Sequence, residues 1–298
     1  MTRPCPGPNP PRKPRIALPA GACDSHVHVL GPYDRFPMAA DRGYTAPEAT
    51  AVTLRHVMDT LGIARCVIVH VTAHGDDLAV TLDALGQLGP RARGIAIVRP
   101  DTSEAALERM HEAGIRGVRL TPLHGEESSF DDILALARRI ARLGWHLVYM
   151  PSGRESWTKI GPRLPDLPVE VVLDHFAWRG FDVAAGIDQP GFGILLDLAR
   201  SGRCWVKLAG PDRFSRAGAP GYEDALPYAR ALVAARPDRL IWGSDWPHVR
   251  HWDDPVPDDA ALLDLLAEWA PDAGVRRAIL TDNPAKLYGF ESRTRPTG

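Results

Sequence analysis

Apolar positions fall along the chain in short, nearly unbroken runs, separated by longer stretches in which apolar residues recur every three or four positions. The runs cover residues 22–29, 65–71, 94–98, 117–121, 146–150, 170–174, 205–209 and 240–244. They show little in–out alternation, as strands covered on both faces do. Residues 53–61, 78–88, 103–113, 130–143, 192–201 and 222–235 lie between them and carry a helical period; residues 259–269 and 275–288 follow the last run. Asp101, Thr102 and Ser103 offer N-caps to the third helix, and Gly114 and Gly144 stand where left-handed C-caps fall after the third and fourth. Eight strands alternating with helices predict an α/β fold, a single (β/α)8 TIM barrel; the pattern alone leaves a doubly wound open sheet as the alternative.

Composition narrows the class without choosing a chemistry. At 298 residues the chain can bury a large core with no disulfide or structural metal, and a formal charge of -2 gives no general attraction to nucleic acid or an anionic membrane. Residues 1–18 are interrupted by Pro4, Pro6, Pro8, Pro10 and Pro11, so they read as an extended or mobile arm and not as a signal peptide. Residues 19–298 then form one domain. Cys5, Cys23, Cys66 and Cys204 have no C-x-x-C spacing and read as small buried hydrophobes in a reducing compartment. With no stretch long enough to cross a membrane, a cytoplasmic location is expected. Monomer and homodimer remain equally open.

In such a barrel the chemistry gathers at the C-terminal ends of the strands. The first strand ends Asp24-Ser25-His26-Val27-His28, whose two histidines at i, i+2 point to the same side. The sixth ends Leu173-Asp174-His175, and the eighth runs Gly243-Ser244-Asp245-Trp246-Pro247-His248. A histidine pair can be satisfied by backbone carbonyls, but three strand ends carrying such residues together point to a site. Within the set His26, His28, His175 and Asp245, the aspartate is the only carboxylate and hence the natural general base.

These residues, with the terminal Asn283-Pro284-Ala285-Lys286-Leu287-Tyr288, resemble the amidohydrolase superfamily in its amidohydrolase-related branch. Within that branch the chain is similar to the 2-pyrone-4,6-dicarboxylate lactonases. The likeness runs through Pro19–Pro32, His74-Gly75, Arg93–Ala96, Gly117–Arg119, Gly210–Arg213 and Trp242–His248. It implies a barrel, a hydrolase and a small anionic lactone as substrate. Relatives with two metals carry a lysine or carboxylate on strand four and a histidine on strand five; here those strands end Arg119-Leu120-Thr121 and Val148-Tyr149-Met150, and Lys207 lies on strand seven. The lactonases with this tyrosine are metal-independent, which implies no cofactor. If one Zn²⁺ were bound, His26, His28, His175 and Asp245 would hold it.

The resemblance gives Asp245 the activation of water, and the three histidines and Tyr149 the polarisation of the carbonyl. It places Arg119 and Arg213 on a substrate carboxylate. Thr72 and His74, after strand two, are further candidates for substrate contact, and His248 is expected to orient Asp245 or to line the rim. Beyond Arg119, however, the chain reads Pro122-Leu123-His124-Gly125-Glu126-Glu127, acidic where the lactonases are basic. Glu126 and Glu127 would repel a second carboxylate unless they turn outward. A sugar-acid lactone or a sulfonated muconolactone therefore stays open. So do a lactone isomerase and a Zn²⁺-dependent decarboxylase, whereas a non-enzymatic binding protein would not need the converging set.

Overall fold

The computed structural model of the chain describes residues 2–120 and 128–290. Its strands are β1 (Cys23–Val27), β2 (Arg65–Val69), β3 (Ala92–Ala96), β4 (Ile115–Arg119), β5 (His146–Tyr149), β6 (Val171–Leu173), β7 (Cys204–Leu208) and β8 (Leu240–Trp242). All neighbours are parallel and ordered as in the sequence. Past the end of β8 the sheet closes on itself: Asp245 N–H donates to the His26 carbonyl (2.9 Å) and His28 N–H to the Trp246 carbonyl (2.8 Å). The eight-stranded barrel predicted from the alternation of runs is the fold found, and the open doubly wound sheet is not.

The helices outside are α1 (Ala51–Leu61), α2 (Ala79–Leu88), α3 (Glu104–Glu112), α4 (Phe130–Ala141), α5 (Arg154–Ile160), α6 (Pro190–Arg200), α7 (Leu226–Ala235), α8 (Asp259–Trp269), α9 (Ala273–Arg277) and α10 (Asn283–Tyr288). Ser103 caps α3 as its position predicts, and Ser129 caps α4 in a reciprocal box with Asp132. At seven residues, α5 is too short to show a period and was not foreseen. The single helix expected over residues 275–288 is instead α9, a π-helical turn at Ala278–Asp282 and α10. Pro284 has no N–H to continue the ladder, and the Asn283 side chain donates to the carbonyls of Pro237 and Leu240, drawing the segment beneath β8.

Two apolar layers hold the strands. One lies between sheet and helices. The other fills the barrel: Cys23, Val67, Val69, Ile95, Val148, Val172, Trp205 and Ile241, closed from below by Tyr288 and Phe290. The period of two then carries the same inward face up each strand, from Val172 to Asp174, from Trp205 to Lys207 and from Ile241 to Asp245. The bottom of the barrel is dry packing and the top is polar.

The N-terminal arm lies along the outside of the barrel. Cys5 N–H donates to the Thr45 carbonyl (2.6 Å), the Asn9 amide to the Val256 carbonyl (2.7 Å) and Arg15 N–H to Asp264 on α8 (2.7 Å). No helix among the described residues is long and apolar enough to cross a membrane.

Trp205 is fully buried at the centre of the inner layer. Trp205→Ala should therefore lower the unfolding free energy by about 3–5 kcal/mol, measured by denaturant titration. A loss below about 1 kcal/mol would show that the ring is not a packed layer.

Candidate active site

The polar top of the barrel floors a cavity of about 1160 Å³. His28, His175 and Asp245 form its floor, and Thr72, His74, Arg119, Tyr149 and Arg213 line its wall. Sharp turns aim two of the floor residues inward: His175 (φ 44), the next two residues, and Asp245 (φ 71) are all left-handed. Such conformations cost about 1–2 kcal/mol each for residues with a Cβ. They persist where packing over-determines them, often at functional sites. Gly210 relieves the crowding beside His175, since a Cβ there would stand 2.7 Å from the His175 Nδ1.

The Asp245 carboxylate is held by two different kinds of neighbour. Its Oδ2 accepts from Nη2 (2.7 Å) and Nε (3.2 Å) of Arg213. Its Oδ1 faces three imidazoles: His28 Nε2 at 3.2 Å, His26 Nε2 at 3.5 Å and His175 Nε2 at 3.9 Å. Burial opposes ionisation here, but Arg213 and His175 outweigh it and hold the carboxyl well below the usual range. Asp245 is thus favoured as a carboxylate, with Oδ1 the oxygen turned away from Arg213. His28 Nδ1–H donates to the Val69 carbonyl (2.7 Å), so its Nε2 is the atom turned to Asp245.

Beneath this floor lies a second group. Asp174 Oδ1 is 2.9 Å from the Lys207 ammonium and 3.0 Å from His26 Nδ1, while Arg119 approaches Oδ2 at 3.5 Å. Asp174, His26 and Lys207 are each fully buried. Burial works against the Asp174 carboxylate, yet His26 and Lys207 bring it well below its ordinary range. Burial lowers the basicity of His26 and, against the pull of Asp174, that of Lys207 as well.

The structure brings His28, His175, Asp245, Tyr149, Arg119, Arg213, Thr72 and His74 to one cavity. His26 lies just under its floor, with Nε2 toward Asp245. Arg213, expected on a substrate carboxylate, has its guanidinium on Asp245 and the Val249 carbonyl (3.0 Å). His248, expected to orient Asp245 or to line the rim, is fully buried away from the cavity with Nε2 2.8 Å from Asp259 of α8. Its ring cannot reach a substrate from there. Tyr149 stacks on Trp157 (6.4 Å between centroids). His74 donates from Nδ1 to the Pro37 carbonyl (3.1 Å). Glu126 and Glu127 lie outside the described residues.

Sequence reasoning missed Tyr44, Asp174, Arg179 and Arg250, and set Lys207 aside. Tyr44 lines the cavity and pairs with the Thr72 hydroxyl. Arg179 and Arg250 also line it, and among the described residues neither is paired with a carboxylate. Burial, then the nearby charges of Arg250 and Arg119, push the Arg179 guanidinium below its ordinary value. Three guanidiniums therefore share one end of the cavity.

The family model described as Amidohydrolase matches residues 23–290. The chain belongs to the amidohydrolase family. Among amidohydrolases of known sequence it is 39% identical to a 2-pyrone-4,6-dicarboxylate hydrolase of Comamonas testosteroni, over 93% of each chain. It is 39% identical to a 4-sulfomuconolactone hydrolase of Rhizobium radiobacter, over 96% of each. A solved structure from Agrobacterium tumefaciens superposes with a TM-score of 0.79 at 29% identity, covering 93% of this chain and 99% of that one. The family resemblance read from the strand-end motifs is thereby established.

The donor atoms of this amidohydrolase lie close enough together to bear on a metal. Three imidazole Nε2 atoms lie 3.2–3.9 Å from Asp245 Oδ1, near the edge of about 3.4 Å of a tetrahedron with zinc–ligand bonds of about 2.1 Å. Among the described residues the atoms spaced to hold an ion fall into two groups, His26 with His28 and Asp245, and His26 with Asp174 and His175, so the four residues expected as one Zn²⁺ set are divided between them; an ion bound at the first would polarise a carbonyl and acidify water.

Burial alone would lower the pKa of His248, but Asp259 reverses this and raises it above the ordinary 6.5. The charged ring therefore adds stability that is full below the unfolded value and is lost as pH rises through the folded one. The stability advantage of the native chain over Asp259→Asn should accordingly shrink as pH rises above the ordinary imidazole value of 6.5 in urea titrations. An advantage that is constant or growing across that range would contradict the assignment.

Proposed function

We propose that the protein is a hydrolase that opens a small anionic lactone, of the 2-pyrone-4,6-dicarboxylate or sulfomuconolactone type, without needing a metal. The observation that carries this reading is the divided Asp245 carboxylate: one oxygen is fixed by Arg213 and the other stands on the floor of a cavity rich in arginine. The two similar hydrolases support it, because both are named for lactones bearing anionic groups. The metal-free reading rests on charge. Asp174 is already matched by Lys207, and Asp245 by Arg213, at 2.9 and 2.7 Å. A dication would add two positive charges to carboxylates that have their counterions.

In the reaction, water attacks the lactone carbonyl carbon and Asp245 Oδ1 takes its proton. The carbonyl oxygen becomes an oxyanion stabilised by hydrogen bonds from His175 and Tyr149, at the cavity wall and floor. The ring C–O bond then breaks, and Asp245 returns the proton to the departing ring oxygen. The product is the open acid. His28, held through its Nδ1–H by the Val69 carbonyl, keeps its Nε2 3.2 Å from Oδ1 at the floor of the cavity. His26 supports the same oxygen from below rather than meeting the substrate.

Arg119 is the candidate clamp for one anionic group, with its guanidinium at the cavity wall. Arg179 and Arg250 extend positive charge from the loops after β6 and β8. They offer cationic side chains that the sequence after Arg119 lacks.

Two variants test the reading on metal-stripped protein, with 2-pyrone-4,6-dicarboxylate and 4-sulfomuconolactone followed by ultraviolet absorbance. Asp245→Asn should lower kcat by about 10²–10⁴-fold, and near-normal turnover would remove Asp245 as the base. Arg119→Met should raise KM about tenfold or more through loss of a charge-assisted hydrogen bond, with a smaller change in kcat. An unchanged KM would remove Arg119 from the anion site. A product that is a second lactone would replace hydrolysis with isomerisation.

A further inference from the structure

Lys207 is a charged group of the barrel interior that the proposed chemistry does not use. Its ammonium is fully buried and touches two atoms: Oδ1 of Asp174 at 2.9 Å and Nδ1 of His26 at 3.0 Å. Those two atoms are themselves 3.0 Å apart, so the three form a nearly equilateral triangle. A ring nitrogen offers either a proton or a lone pair in the ring plane, never both. For a ring carrying one proton the triangle admits two arrangements, and they place that proton on opposite sides of the ring.

In the first, Nδ1 carries the proton and donates to Asp174. The ammonium then abuts an N–H at 3.0 Å, and the Nε2 lone pair faces the Asp245 carboxylate oxygen at 3.5 Å. Both contacts set like against like. In the second, Nδ1 accepts from the ammonium, which also donates to Asp174, and Nε2 carries the proton toward Asp245. One unfavourable contact remains, between Nδ1 and Oδ1, and it is bridged by the cation bonded to both. The second arrangement is favoured wherever no metal occupies the Nε2 side.

We propose that Lys207 is a positioning residue that fixes His26 in its Nε2–H form, so that His26 donates to the Asp245 base and has no lone pair to give a metal. The built-in ammonium does for the imidazole what an ion would do from the other face, and the two are mutually exclusive. This deepens the metal-free reading above and rests on it for its significance. The proton's position, however, is a property of the protein without substrate.

Long-range ¹H–¹⁵N spectra of the labelled, metal-stripped protein test it directly, with the His26 ring assigned through its own backbone amide. The expected result is a protonated Nε2 and an unprotonated Nδ1; a protonated Nδ1 overturns the proposal. Lys207→Met should move the proton to Nδ1 and tighten Zn²⁺ binding about tenfold or more in chelator competition, the size typical of residues placed behind metal ligands. Unchanged or weaker Zn²⁺ binding in that variant overturns the exclusion. If Lys207→Met does not fold, the native spectrum still decides. Neither readout involves a lactone, so failure to hydrolyse one would count against the proposed function and leave this result standing.

Discussion

A carboxylate with no path to water must have its charge answered by the protein itself, and Asp174 imposes that demand at the top of this barrel. Lys207, His26 and Arg119 all turn toward it from different strands. Each of those side chains is thereby fixed by an interaction made below the cavity floor. The cost of burying one charge is offset by a second charge, and the pair together orients the imidazole that meets Asp245. Breaking such a buried pair on one side leaves the other charge stranded, typically a loss of several kcal/mol. The arrangement is thus rigid because it is electrostatically closed.

The same logic separates the two aspartates by task. Asp174 is fully enclosed, while Asp245 spends one oxygen on Arg213 and keeps the other near the cavity. In the proposed reaction the deeper carboxylate takes a supporting part and the shallower one the chemical part. It also accounts for the density of arginine around the opening. Beneath a floor whose internal charges are already balanced, guanidiniums at the wall present net positive charge to whatever enters.

Much of the architecture was legible in the order of residues. Eight apolar runs alternating with helical stretches gave the barrel, and the strand-end motifs around His26, His28, His175 and Asp245 gave the centre of the cavity. What escaped was of three kinds. Asp174 and Lys207 face inward by simple alternation from Val172 and Trp205, but a buried ion pair between strands six and seven has no local signature. Arg179 and Arg250 sit on loops, where neither period nor propensity indicates which way a side chain turns. Arg213 and His248 stood at suitable positions in the chain, but their partners, Asp245 and Asp259, were chosen by tertiary packing. The break at Pro284 was readable from proline's missing donor; the π-helical turn before it was not.

The N-terminal arm joins parts of the mouth that the chain itself keeps far apart. Arg3 reaches the Trp252 carbonyl, Cys5 binds Thr45 and receives the Arg250 amide on its sulfur, and Arg15 ends on α8. Tyr44, Arg250 and Trp252, all at the cavity, are thus one residue or less from a bond to the arm. The first residues act as a tie across the entrance, although they contain no group that does chemistry. An affinity tag or fusion partner attached there would pull on the rim of the cavity, so the placement of a purification handle becomes a variable in any assay of this protein.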